Sequence, residues 1–343
     1  MPDERLPEIL RRHRAFWGCE AVERPLVGVS RYAYFPLEDF DLGVEAGPFL
    51  PEMLDPESLL PQYERMFADG GLYMGDFLWA ASPLWGLPWL EAIIGCPVEV
   101  SKDYATLWAR HCYPDLGAVP DLRLFPDNPW FQKLLEFTRL LARHSQDLYP
   151  LATPLLRGPV DLLAALVGSE QLVLATYDIP ERVQQLAEQC AEIFVAVARA
   201  QFDLLPPFHG GYSQLQHIWA PGSTVMTQQD AALFFTPKKY RELLLPADRL
   251  ILKSFEYTIM HLHSTVLHTL DDLLALDELA CLQIVVDPAG PPVEALLPTF
   301  KKVQACKPLV IFADLNAREL DLILNTLSPR GLCVYIKHAR AAG

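Results

Sequence analysis

Apolar and polar positions along this chain switch repeatedly between two periods. From residue 131 onward, short continuous apolar runs are followed by stretches with apolar residues three and four apart, which predicts alternating strands and helices. Helices are predicted over 131–146, 160–177, 178–205, 266–276, 293–305 and 317–326. Asp178 is placed to cap the third, with Pro180 in its first turn, where a missing N–H costs nothing. Thr236-Pro237 opens another helix running towards 255, with a break expected near Pro246. Strand-like runs fall at 149–159, 209–216, 222–230, 257–264, 281–287, 308–314 and 331–337.

The N-terminal third is less regular. A helix over 4–17 carries Leu6, Ile9, Leu10 and Phe16 on one stripe, and Val27, Val29 and Tyr32 suit a strand within 25–35. Residues 36–130 are dense in Pro, Trp and Gly, with 82–100 reading as a loop, a short helix and a strand-like tail. Uninterrupted apolar strands alternating with helices are the mark of a parallel sheet buried on both faces. About eight such units, if the irregular N-terminal third supplies two, favour a closed (β/α)8 TIM barrel. No low-complexity linker divides the chain, so 1–343 is expected to form a single domain. No GxGxxG follows the first strand, which removes the dinucleotide-binding signature.

Composition narrows the function classes. Hydrophobic residues make up 51% of the 343 and charged ones 21%, a core-forming balance. Lys plus Arg number 28 against 43 Asp plus Glu, a formal net charge of -15, which argues against nucleic acid and anionic membrane surfaces as partners. No run approaches the roughly 20 apolar residues of a spanning helix, and the opening MPDERLPEILRRHRAFW lacks a signal-peptide core. The 7 cysteines are scattered without CxxC spacing and are expected to be reduced thiols in a cytoplasmic protein.

In a barrel, chemistry collects where strands end and loops begin. The polar residues at those predicted ends are Asp76, Arg157, Tyr212, Asp230, His261, His263, Asp287, Asp314, Cys333 and Lys337. His261-Leu262-His263 is the sharpest cluster, because residues i and i+2 of a strand share a face and two imidazoles can converge on one ion. Cys333 in the last strand is the candidate third ligand; the same pattern also fits two hydrogen-bonded histidines and a buried cysteine. Asp230 suits a general base, a support for a liganding histidine, or the cap of the helix after it. Arg157 suits a carboxylate or phosphate anchor or a structural ion pair, and Tyr212 a substrate donor or a packing residue. Asp287 and Asp314 read as loop caps, and His268 as a surface residue on the next helix. Trp79, Trp85, Trp89 and Trp219 are candidates to wall an apolar pocket.

Four stretches, 158–183, 219–246, 258–264 and 328–336, together with the opening RHRAFWGCEAVERPLVGV, resemble the uroporphyrinogen decarboxylase superfamily. That superfamily includes the zinc methyltransferases of corrinoid systems and resembles cobalamin-independent methionine synthase. The resemblance implies a distorted (β/α)8 barrel, commonly a homodimer. It implies Zn²⁺ on His261, His263 and Cys333, with a thiol or similar nucleophile methylated from a donor such as a corrinoid carried by a partner protein. His263 stands where the methyltransferases carry a cysteine, which would leave a more Lewis-acidic metal. In this picture Asp230, Tyr212 and Asp76 serve the chemistry, and Arg157, Trp219 and Arg31 hold a small-molecule substrate. True uroporphyrinogen decarboxylation is not expected, since 25–35 offers one arginine, Arg31, to a substrate of many carboxylates. Two rivals remain: a metal-free lyase or decarboxylase built on Asp76 and Arg31, and a binding protein that kept the barrel without its chemistry.

Overall fold

The computed structural model describes residues 5–30 and 36–337. At its centre lie six parallel strands: β1 (Leu26–Val29), β2 (Thr224–Gln228), β3 (Tyr257–His263), β4 (Cys281–Val285), β5 (Leu309–Ala313) and β6 (Leu332–Ile336). They run in the order β1-β6-β5-β4-β3-β2. Every residue of β2, β4 and β5 is buried, the reason β5 is an uninterrupted apolar run and β4 departs from one only at Gln283. Long helices such as Pro180–Phe202 and Val293–Gln304 cover the outside, and one hydrophobic core runs from Phe16 to Tyr335.

Between β1 and β2, among the described residues, the ladder continues as single contacts. Asp76 N donates to Val27 O, Ala81 bridges Leu151, and Ala152 bridges Ser213. The fold is therefore barrel-like, with six regular strands in its parallel sheet among the described residues where eight were expected. The stretch 149–159 contributes bridge residues and loop, and 209–216 forms part of an antiparallel pair, Tyr212–Ser213 with Trp219–Ala220. Proline and glycine in these segments remove donors and side-chain packing that a regular strand needs.

Three local expectations change. The helix predicted over 160–177 is two, Pro159–Val167 and Ser169–Asp178, bent by 105° at Gly168, whose φ of 88° lets the chain turn sharply. Asp178 ends the second of them, and Ile179 precedes the next helix without a side-chain cap, although Pro180 does occupy its first turn. Pro246 does not break its helix: the π-helical turn Tyr240–Leu244 just before it widens the backbone, relieving the clash a proline ring makes with the preceding turn.

The irregular third builds a wall. Strands Val98–Ser101 and Thr106–Ala109 form a hairpin, with Gly47–Phe49 on one edge, and its second arm faces a central cavity. At the opposite end, helix Arg5–Trp17 closes the bottom: the His13 ring contacts the Asp76 backbone oxygen at 2.8 Å. No single helix among the described residues is long and apolar enough to cross a membrane, and all seven cysteines are free thiols.

Candidate metal centre

A cavity of about 370 Å³ opens at the C-terminal ends of the strands. Tyr63, Trp79, Trp85, Trp108, Phe312 and Tyr335 form its aromatic walls. The polar side consists of Arg157, Gln216, His217, Gln228, Asp230, His261, His263 and Lys337. Two of the four tryptophans proposed from sequence, Trp79 and Trp85, thus face the cavity. Trp89 is fully buried in the core.

His261 and His263 project from the same face of β3, as strand periodicity requires, with ring centroids 5.1 Å apart. Asp230 follows the end of the neighbouring strand, β2. One donor atom from each of Asp230, His261 and His263 lies within 4.8 Å of the others. Asp161 supports the turn by accepting from Asp230 N at 3.2 Å and Ala231 N at 2.8 Å. Gln228 Nε2 donates to Asp230 Oδ2 at 2.9 Å. Asp230 Oδ1, by contrast, is shut off from solvent and has no hydrogen-bond partner. It lies 3.7 Å from His263 Nε2, beyond hydrogen-bond reach. Two donors sharing one tetrahedral ion are about 3.4 Å apart, so this spacing and the orphaned oxygen both fit a cation between them.

Each imidazole is held from behind. His263 Nδ1 lies 2.6 Å from Asp287 Oδ1, and Ser264 Oγ donates to the other Asp287 oxygen at 2.7 Å. Asp287 is therefore more than a loop cap. Burial opposes its ionisation, but the hydrogen bonds from His263 and Ser264 prevail and hold the carboxyl below its usual range. His261 Nδ1 meets Gln283 Oε1. Burial, then the neighbouring His263, pushes His261 down to about 4, so it is neutral and able to ligate at ordinary pH. Asp230 is pushed up, chiefly by burial, against the pull of His263 and Arg157; a divalent ion would reverse that.

Cys333 does not join this group. Register places it level with His261 through Gln283 and Val310, but three strands away, about 14 Å along the sheet at normal strand spacing. Its thiol is fully buried near the N-terminal strand ends, within electrostatic range of Asp76, Arg12 and Cys281. Burial pushes that thiol well up, away from the thiolate a metal takes. Tyr335 and Lys337, two and four residues further along, reach the cavity instead.

Other sequence candidates separate in the same way. Arg157 lines the cavity, and its Nε lies 3.2 Å from the buried Glu91 in an ion pair. Asp76 lies ahead of its strand, at the bottom of the barrel. It pairs with Arg12, with Arg24 Nη1 at 2.7 Å and with Val27 N at 2.9 Å, a structural knot remote from the cavity. Trp219 is also at the bottom, packed with Ile9, Leu10, Leu78 and Phe208, its Nε1 donating to Phe208 O. Tyr212 lies edge-on to Phe202 and does not line the cavity. His268 is exposed beside the cavity-forming loops, its Nε2 3.1 Å from Ala232 O. Arg31 falls outside the described residues. Periodicity did not single out His217, which is buried in the cavity wall with Nδ1 accepting from Ala80 N at 3.0 Å. Only its left-handed φ of 63° marks it, and that is invisible in sequence.

No family model and no curated protein sequence matches the chain. Among solved structures it is similar to a methyltransferase from Methanosarcina mazei. The TM-score is 0.67 at 16% identity, over 97% of this chain and 93% of that one. At that identity the likeness establishes a shared fold, mixed α/β and barrel-like, along nearly the whole chain.

Proposed function

We propose that this protein is a metal-dependent methyltransferase-like enzyme, and that its distorted sheet stands for a (β/α)8 barrel closed by irregular strands. The observation that carries the reading is the convergence of Asp230, His261 and His263, with Asp230 Oδ1 buried and unpartnered, on a cavity at the strand ends. The likeness to a solved methyltransferase supports the same class. Two imidazoles and one carboxylate suit Zn²⁺ with an open position; Fe²⁺ takes the same donors. Such an ion would act as a Lewis acid, lowering the pKa of a thiol or similar nucleophile bound beside it.

The chain's own residues would prepare that step. Asp287 and Gln283 fix the two imidazoles, so little reorganisation is needed when substrate enters. His217 is neutral, and because Nδ1 already accepts from Ala80 N, its Nε2–H is a donor directed away from that contact. Arg157 and Lys337 line the same cavity and would orient an anionic part of the substrate. The aromatic walls would exclude water and strengthen every electrostatic contact inside. The methyl donor in this reading is a methylated corrinoid delivered by a partner protein.

The test combines metal analysis with methyl transfer from methylcobalamin to simple thiols. Near-stoichiometric Zn or Fe, and transfer that is lost after chelation and regained on adding the metal back, would support the reading. Protein that takes up no metal on reconstitution would overturn it.

A further inference from the structure

Gln283 is the one polar side chain in the strand Cys281–Val285, and it is fully buried. Its Oε1 meets His261 Nδ1, and its Nε2 donates to Gln216 Oε1. Gln216 Nε2 returns a bond to Gln283 Oε1 at 3.1 Å, making a reciprocal amide pair. Gln216 is itself placed by Gln214, whose Oε1 accepts from Gln216 N at 2.5 Å. Buried amides are costly unless hydrogen-bonded, so the reciprocal Gln216–Gln283 pair constrains its neighbours strongly.

We propose that Gln283 is a positioning residue that sets the tautomer of His261. A carbonyl oxygen only accepts, so Nδ1 must carry the proton and Nε2 must present its lone pair. His217 is the opposite case in the same cavity wall: its Nδ1 accepts from a backbone N–H, which leaves the proton on Nε2. The two imidazoles are thus locked in opposite tautomers, His261 for holding a cation and His217 for donating. His261 differs also from His263, whose Nδ1 partner is a carboxylate. An amide orients the ring without adding negative charge, so the ion at Asp230, His261 and His263 keeps more of its own. The proposal rests on the metal reading above, but the tautomer itself does not require a metal.

Two measurements test it. In metal-free protein with ¹⁵N-labelled histidine, long-range proton–nitrogen spectra, assigned with His261→Ala, should show His261 protonated at Nδ1. Co²⁺ titration followed by its visible absorption should then give an affinity about 10- to 100-fold weaker in Gln283→Met than in wild type. Gln283→Glu, which keeps an acceptor, should restore most of it. A role in packing alone would lower the melting temperature of both variants and leave Co²⁺ affinity unmoved. An Nε2–H tautomer in the wild type, or equal Co²⁺ affinity in Gln283→Met, overturns the proposal. Wild-type protein that binds no Co²⁺ overturns the metal reading alone, and the tautomer measured in metal-free protein then decides the role of Gln283. If Gln283→Met does not fold, the wild-type tautomer and the Gln283→Glu affinity still decide.

Discussion

His263 and Asp287 form a 2.6 Å contact between Nδ1 and Oδ1 that turns the other ring nitrogen toward Asp230. A carboxylate in this position fixes the ring and raises its basicity as a ligand. Asp287→Asn should therefore weaken Zn²⁺ binding about 10- to 100-fold while leaving the fold intact. Competition with a chromophoric chelator measures this, and unchanged affinity would show that Asp287 serves the loop alone.

The donor set itself makes a sharper contrast. Alanine at Asp230, His261 or His263 should remove bound metal, whereas Cys333→Ala should retain it. Cys333 is fully buried, so that variant should cost stability by roughly 1 kcal/mol through the small cavity left behind. Elemental analysis of the four purified proteins separates the two outcomes. Metal lost in Cys333→Ala would restore the cysteine to the site.

Gly158 couples the loop after Arg157 to the strand that leads to Asp230. A Cβ on Gly158 would lie 2.2 Å from Gln228 O and 2.9 Å from Thr227 Oγ1, so the end of β2 would have to move. Gly158→Ala should destabilise by about 2 kcal/mol and weaken metal binding together, because Asp230 follows Gln228 by two residues. Denaturant melts alongside metal titration check the pairing of effects. A loss of stability with full metal affinity would mean that the strain relaxes elsewhere.

Acid should unfold the protein through its buried neutral histidines. Burial pushes His217 down to about 3 and His261 to about 4, and lowers His13 as well. Each takes up a proton near pH 6.5 once unfolded but resists it when folded, so stability is full above about pH 6.5 and falls as pH drops below it. His217 alone should cost on the order of 2 kcal/mol by pH 5. Melting temperatures from pH 7.5 to 4.5 should fall less steeply in His217→Gln. Parallel curves would show that His217 titrates normally.

Much of this molecule is legible in its sequence for simple reasons. Strands buried on both faces are largely apolar, so β5 and β6 stand out as runs. A strand alternates faces with period two, so His261 and His263 had to point the same way. Gln283, the one amide in an otherwise apolar strand, was not singled out from sequence, although a buried polar group there demands a partner.

Which side chains meet was settled by the tertiary structure. Period two says which face a residue takes but not which end of the barrel it reaches. Asp76 and Trp219 belong to the bottom, where helix Arg5–Trp17 seals the core. Cys333 shares a register line with His261, yet barrel strands are tilted, so matched residues several strands apart differ in height. Asp230 stands beside the two imidazoles because β2 pairs with β3, in the register Gln228 with His261. Local pattern could nominate the imidazoles; only long-range pairing and strand tilt could choose the carboxylate that stands with them.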